Sequence, residues 1–186
     1  MVTEQRLLIF GSDKRGTIYG MFHISELMGV SPWVTFADVV PERKDEVYMT
    51  EADTFYSKEP SVKYRGFFIN DEWPAFGNWT FSHFGGFTAE MYDMIFETLL
   101  RLKGNYLWPA MWTSSFSLDG PGEQNAILAD EYGVVMSNSH HEPCLRHSEE
   151  WDKVRGEQSP YGNEWNYSTN REGLLNYWRD GLIRSG

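Results

Sequence analysis

Two neighbouring carboxylates beside an aromatic residue are the first place in this 186-residue sequence where chemistry is expected. Asp71 and Glu72 precede Trp73 and follow Asn70, which comes after an apolar run that ends at Ile69. Apolar surroundings can raise the pKa of one carboxyl so that it acts as an acid while another stays ionised, which is what glycoside hydrolysis needs. Adjacent side chains point in different directions, so we expect one of the two carboxylates to face a site and the other to hold structure. The alternative is that both are solvated or capping residues of a loop.

The second candidate is a short SHHEP sequence that follows a later apolar run. His140 or His141 could hydrogen-bond a sugar hydroxyl or a carboxylate, and Glu142 could supply a second acid or base. A purely structural role for the histidines stays open, as does a zinc site that includes Cys144. The spacing is not that of His-Glu-x-x-His, and Pro143 opposes the helix which that motif requires, so we expect no metal.

Aromatic residues make up 16% of the chain and concentrate beside the first candidate. In the stretch 72–87 they alternate with small residues, and the stretch is long for a simple connection between a strand and a helix. Such rings can form a wall for the apolar faces of a sugar, or they can pack against a core. The residues expected to bind substrate are Asn70, Trp73, Trp112, His140 and His141.

An alternation of strands and helices positions these residues. The pattern predicts strands at 64–70, at 105–111 and from 134, and helices after Thr88, at 123–132 and after Thr169. Such alternation implies parallel strands, with functional residues at their carboxyl ends, as in a doubly wound sheet or a barrel. A complete barrel takes roughly 250 residues, so only the first part of a (β/α)8 TIM barrel fits in 62–186.

An earlier βα unit precedes these elements. Residues 7–10 read as a buried strand, and apolar residues recur at helical spacing from Ile18 to Met28. The polar link 58–61 indicates a domain boundary, so residues 1–61 are predicted to be the C-terminal part of an α/β domain. A glycine-containing segment at 11–17 is similar to a phosphate loop, but its lysine is displaced from the position that a phosphate loop requires.

The charge balance and the hydropathy exclude several partners. The net charge is −11, and no stripe of Lys or Arg could neutralise phosphates, so we expect no nucleic acid partner. No apolar stretch approaches the roughly 18 to 20 residues of a membrane helix, so we expect no membrane partner. The single cysteine, Cys144, cannot form an internal disulfide.

Several motifs occur in the order in which glycoside hydrolase family 115 has them, and the sequence resembles that family from about Leu7 onward. The motifs are GSDKRGTIYG (11–20), GVSPW (29–33), RGFFINDEW (65–73), LKGNYLWPAMW (102–112), SHHEP (139–143) and YGNEWN (161–166). The resemblance implies an inverting α-glucuronidase that releases glucuronic acid or its 4-O-methyl ether from xylan side chains without a metal or other cofactor. Its motifs carry Asp71, Glu72 and Glu142 over as the catalytic candidates, with His140 and His141 beside them.

The resemblance begins near the end of the family's first domain and stops less than halfway through its barrel. We therefore expect a piece of a longer enzyme that is inactive alone, and whose parent is secreted or periplasmic, with a homodimer left open. A uronic acid also needs a cation, for which the candidates are Lys14, Arg15, Arg65 and Arg146. The alternatives are a noncatalytic carbohydrate-binding protein and a related barrel hydrolase that acts on amino sugars.

Overall fold

The computed structural model describes residues 2–3, 6–138 and 142–185. Over these residues the chain is a mixed α/β structure with a small parallel sheet packed against helices. The strands are β1 (Val2–Thr3), β2 (Arg6–Leu7), β3 (Gly66–Phe68), β4 (Tyr106–Trp108) and β5 (Val135–Met136). The helices are α1 (Lys14–Leu27), α2 (Phe76–Phe84), α3 (Ala89–Arg101), α4 (Gln124–Tyr132), α5 (Glu150–Val154) and α6 (Arg171–Ser185), and a single 3-10 turn spans Glu51–Asp53.

The parallel sheet has the sequential order β3, β4, β5. Phe67 lies opposite Leu107, and Leu107 lies opposite Met136. The parallel pairing predicted from the alternation of strands and helices is therefore confirmed. The strands are shorter than predicted, although pairing continues past β3, where the amide of Ile69 donates to the carbonyl of Trp108 at 2.9 Å.

The register of β3 against β4 is fixed at the amino ends of both strands. A Cβ at Gly66 would lie 1.6 Å from the carbonyl oxygen of Tyr106, so only glycine allows this approach of the two backbones. The side chain of Asn105 accepts from the amide of Arg65 at 2.9 Å and donates to the carbonyl of Lys63 at 2.9 Å. This register decides which residues emerge together at the carboxyl ends of the strands.

Helix α3 covers the sheet and supplies most of the main core. The amphipathic pattern predicted after Thr88 is confirmed, because Met91, Met94, Ile95 and Leu99 are all buried. Helices α2 and α4 pack against the same core. Its buried members are Ile69, Phe87, Met91, Tyr92, Met94, Ile95, Phe96, Leu99, Leu107, Ala110, Phe116, Ala129 and Val134.

A second, smaller core forms between α5 and α6. Trp151, Leu174 and Tyr177 are buried in it, with Tyr161 and Trp178 packed at its side. The helix predicted after Thr169 is confirmed as α6, but its last apolar residues are exposed rather than part of the core. Among the described helices, none combines the length and the apolar character that a membrane span requires.

Helix α1 lies against the main body of the chain. The hydroxyl of Tyr19 donates to the carbonyl of Gly104 at 2.7 Å, and the Arg15 guanidinium donates to the carbonyl of Gly133 at 3.0 Å. The segment that is similar to a phosphate loop begins this helix, because Asp13 Oδ1 accepts from the amide of Gly16 at 2.7 Å. Residues 54–64, around the predicted domain boundary, are exposed and form no helix or strand. The division into two domains stays a prediction.

Candidate active site

Asp71 anchors the loop that leaves β4. It lies three residues beyond β3, and only 1% of it is exposed. Its Oδ1 accepts from the amides of Met111 at 3.2 Å and Trp112 at 3.0 Å. Its Oδ2 accepts from the amide of Ser114 at 2.8 Å and from the hydroxyl of Thr113 at 3.1 Å. Both carboxylate oxygens are thus occupied by donors about 40 residues further along the chain.

The two adjacent carboxylates therefore have different surroundings. Asp71 is buried and holds the loop 111–114, whereas Glu72 is exposed at the carboxyl end of β3. Asp71 is thus the carboxylate that holds structure, as expected for one of the two, whereas the expectation that the other faces a site stays a prediction for Glu72. Catalytic roles for Asp71 and Glu72 stay predictions.

Replacing Asp71 by Asn should destabilise the fold. An amide has one oxygen acceptor and presents N–H groups to the donors of Thr113 and Ser114, or to those of Met111 and Trp112. Leaving such buried donors unpaired should lower the free energy of unfolding by about 2 kcal/mol, measured by urea denaturation. The neighbouring change Glu72→Gln is the control and should stay within about 0.5 kcal/mol of the parent. Equal effects of the two changes would contradict the anchoring role of Asp71.

Three of the residues expected to bind substrate, Asn70, Trp73 and Trp112, follow the carboxyl ends of β3 and β4. Asn70 is half-buried, and its Oδ1 is buried with no hydrogen-bond partner among the described residues. Trp112 is half-buried and Trp73 is exposed. His140 and His141, together with Ser139, lie outside the described residues. Of the residues beside the two carboxylates, Trp73 thus presents an exposed ring, whereas the amide oxygen of Asn70 is buried.

The aromatic stretch 72–87, expected as a loop, contains the nine-residue helix α2. The rings of Phe76 and Trp79 are nearly parallel, with centroids 5.4 Å apart, and both pack against the main core. The rings of Trp73 and Phe81 instead stay exposed, with centroids 5.4 Å apart. The packing alternative is therefore confirmed for Phe76 and Trp79, whereas a sugar-binding wall at Trp73 and Phe81 stays a prediction.

Glu142 follows β5 in sequence, just after residues 139–141, which lie outside the described part of the chain. It is half-buried, and burial raises the pKa of its carboxyl above the ordinary value. A raised pKa keeps a carboxyl protonated at higher pH, as a general acid requires.

In the part of the chain that the structure describes, no group of three or more His, Cys, Asp or Glu residues could hold a metal ion.

A buried ion cluster supports the segment that carries Glu142. Glu150 is fully buried and accepts from the guanidinium of Arg146 at 2.5 Å and from that of Arg184, on α6, at 2.6 Å. Arg146 also donates to the carbonyl of Tyr177 at 2.7 and 2.9 Å. Burial alone would raise the pKa of Glu150, but hydrogen bonds and charges from Arg184 and Arg146 outweigh burial and lower that pKa below its ordinary value.

His147 is buried against the ion cluster. Its Nε2 lies 3.4 Å from the hydroxyl oxygen of Ser117, and burial lowers the pKa of its imidazole to about 4. Sequence reasoning did not single out His147 or Glu150. The four-residue spacing of Arg146 and Glu150 is typical of a helical ion pair, but Arg146 lies before α5, and the contribution of Arg184 comes from tertiary structure.

The cations expected to bind a uronate carboxylate are engaged within the fold. Lys14 Nζ lies 3.4 Å from the carbonyl of Asp130, and Arg15 bonds a carbonyl just beyond α4. Arg65 donates to the carbonyls of Val62 and Lys103, and Arg146 belongs to the ion cluster. None of these contacts involves Glu72.

An open cleft of about 360 Å³ lies between α2, the start of α3, the loop after β4 and α5. One wall is aromatic, and the other carries hydroxyl groups and a salt bridge between Lys153 and Asp119 with an N–O distance of 2.9 Å. The residues that line the cleft are Trp73, Phe81, Gly85, Gly86, Phe87, Thr88, Thr113, Ser114, Asp119 and Lys153. Rings beside hydroxyls and paired charges suit a ligand with both apolar faces and many hydroxyl groups.

The sequence matches the family described as glycosyl hydrolase family 115 over residues 57–186. The structure is similar to that of a family GH115 4-O-methyl-α-glucuronidase, BtGH115A, with specificity for decorated arabinogalactans. The two have 37% sequence identity and a TM-score of 0.71, and the match covers 91% of this chain and 22% of that chain. The chain therefore spans about a fifth of the length of this relative. No curated protein sequence matches it.

Proposed function

Because the chain belongs to glycosyl hydrolase family 115, we propose that it carries part of the active site of an enzyme that removes glucuronic acid, or its 4-O-methyl ether, from polysaccharide side chains. The observation that carries the proposal is the family match over residues 57–186, which includes β3, β4, β5 and the candidates at their carboxyl ends. The three parallel strands lie in sequential order, β3, β4 and β5, and this order supports the proposal because the first units of a (β/α)8 barrel have it.

Glu142 is the general acid in this proposal, and Glu72 is the general base. The half-buried Glu142 has a raised pKa, so it can hold the proton that the leaving oxygen needs. Glu72 is exposed and can activate a water molecule. In an inverting enzyme the two carboxyl groups stand roughly 6.5 to 9.5 Å apart, so that a water molecule fits between them and the sugar. Asp71 acts indirectly, by holding the loop 111–114.

The polysaccharide in the proposal is any chain decorated with glucuronate. Xylan was the backbone predicted from the sequence, whereas the similar solved enzyme has specificity for decorated arabinogalactans. The coarser class covers both. Noncatalytic carbohydrate binding is the second candidate, because the exposed rings of Trp73 and Phe81 would serve binding without chemistry.

A chimera tests the function. The chain replaces the matching segment of the similar 4-O-methyl-α-glucuronidase, and glucuronate release from decorated arabinogalactan and from glucuronoxylan is measured by anion-exchange chromatography. We expect release by the chimera, with the β-anomer formed first as inversion requires, and no release by the 186-residue chain alone. A folded chimera that binds these polysaccharides without releasing glucuronate would favour the noncatalytic alternative.

A further inference from the structure

The open cleft next to α2 is separate from the carboxylates proposed to act on glucuronate. None of Asp71, Glu72 and Glu142 is among the described residues that line it. It is nevertheless at the same end of the sheet, because its wall includes Thr113 and Ser114, which Asp71 anchors. A ligand long enough to extend past the proposed catalytic carboxylates could therefore reach it.

The aromatic wall of the cleft offers a stacking surface. Trp73 is 49% exposed and Phe81 is 50% exposed, although rings of this size are usually covered. Phe87 is buried beneath them and contacts Phe81 edge to face, with centroids 6.3 Å apart. Exposed aromatic rings that are held in place by packing against a buried side chain can bind the C–H face of a sugar ring.

The position of Trp73 depends on a glycine in α2. A Cβ at Gly77 would lie 2.6 Å from the indole ring of Trp73, closer than side chains approach each other. The ring can therefore lie against the helix only because residue 77 has no side chain. This contact gives a way to move the ring without removing it.

The polar wall suits hydroxyl groups better than a carboxylate. Lys153 lies 2.9 Å from Oδ1 and 3.2 Å from Oδ2 of Asp119, so the charges of this pair cancel. Asp119 Oδ2 also accepts from the amide of Ser115 at 2.6 Å. A ligand carboxylate would compete with Asp119 for the lysine, whereas a hydroxyl can donate to one partner and accept from the other.

Thr88 adds a polar group that lacks a partner. It stands at the N-cap position of α3, yet its side chain makes no capping hydrogen bond. Its hydroxyl oxygen is buried and has no hydrogen-bond partner in the described ranges of the chain. Because this oxygen is buried, it does not face the cleft, and the contacts offered to a ligand come from the aromatic wall and from the pair of Lys153 and Asp119.

We propose that this cleft is a subsite for a neutral sugar unit of the polysaccharide, bound by stacking on Trp73 and by hydrogen bonds to the pair of Lys153 and Asp119. The inference rests on the proposed function, because it assumes a carbohydrate ligand. It adds that the backbone next to the removed glucuronate is recognised by this chain, at a place that does not carry the proposed acid and base.

Calorimetry on the 186-residue chain tests the subsite with three probes: β-1,4-xylotetraose, β-1,3-galactotetraose and free glucuronic acid. At least one neutral tetrasaccharide should bind, and it should bind at least about tenfold more tightly than glucuronic acid. Trp73→Ala should weaken binding of that tetrasaccharide at least about tenfold. Gly77→Ala, which displaces the ring, should weaken it as well, whereas Gly156→Ala should not, because a Cβ there meets nothing within 4 Å.

Lys153→Gln is a second variant that tests the subsite if circular dichroism shows that the aromatic variants do not fold. This exposed change should weaken binding at least about threefold, because the carboxylate of Asp119 loses its partner. Tetrasaccharide binding that is unchanged in the folded variants, or binding of glucuronic acid alone, would overturn the proposal. Glucuronate release by the chimera is a separate readout, so failure of the subsite and failure of the proposed function are distinguishable.

Discussion

Glu142→Gln is expected to lower glucuronate release from the natural polysaccharide linkage by about 10²-fold to 10⁴-fold in the chimera, the range that general acid catalysis contributes. The reason is that a sugar hydroxyl is a poor leaving group unless it is protonated as the bond breaks. Glutamine has nearly the same size as glutamic acid but carries no proton to give. The kcat/KM on decorated arabinogalactan or glucuronoxylan measures the effect.

The leaving group separates an acid from a base. In the substrate α-glucuronosyl fluoride, the fluoride ion can leave without being protonated. Glu142→Gln should therefore lower kcat/KM far less on this substrate than on the polysaccharide. Glu72→Gln should cost a similar factor on both, because a base activates the attacking water whatever group leaves. Loss of the same size on both substrates for Glu142→Gln would contradict its role as the acid.

The matched control for the acid is Glu157→Gln, an exposed glutamate in the irregular chain after α5. It should retain the kcat/KM of the parent chimera, because it lies outside the proposed machinery. The alkaline limb of the pH profile gives a second check. Burial raises the pKa of Glu142, so the acid form and the rate should persist to a higher pH than for a solvated carboxyl, and both should fall as the pH rises through that pKa.

Helices and strands that have a local pattern of apolar residues could be predicted from the sequence. Helix α3 has apolar residues at helical spacing and begins after Thr88, so its face and its start could both be inferred. Helix α2 could not be inferred in the same way. Its aromatics alternate with small residues, and the helix is held by packing of Phe76 and Trp79 on a core that other segments supply.

The candidate site was predictable only at its acidic and aromatic positions. The sequence places Asp71 and Glu72 at the end of a strand. The four groups that donate hydrogen bonds to the Asp71 carboxylate, however, belong to residues about 40 positions away. The pair of Asp119 and Lys153 likewise joins residues 34 positions apart. Hydrogen-bond partners so distant in sequence depend on strand register, which no local pattern specifies.

The stability of the chain is expected to fall by up to about 3 kcal/mol as the pH drops from 6.5 toward 4, because of His147. Its folded pKa of about 4 lies below the unfolded value of about 6.5. In this window the unfolded chain binds a proton that the folded chain excludes, so the contribution is fully present above pH 6.5 and is lost on acidification. Glu150, Arg184, Asp119 and Lys153 are the charged groups around the imidazole.

His147→Gln should flatten this dependence, measured as the free energy of unfolding by urea between pH 7.5 and 4.5. Glutamine can keep a polar atom toward Ser117 but does not titrate, so its slope should be smaller by up to one proton per molecule. Asn78→Gln is the matched control, because Asn78 is exposed on α2 and carries no titratable group, and it should retain the parent slope. Glu150 affects the free energy of unfolding only at lower pH. Its pKa is lowered in the folded chain, so its contribution to stability is lost only as the pH falls below the unfolded pKa near 4.3. A parent slope in His147→Gln would show that the imidazole is not excluded from protonation in the folded chain, and that the ion cluster tolerates a further positive charge.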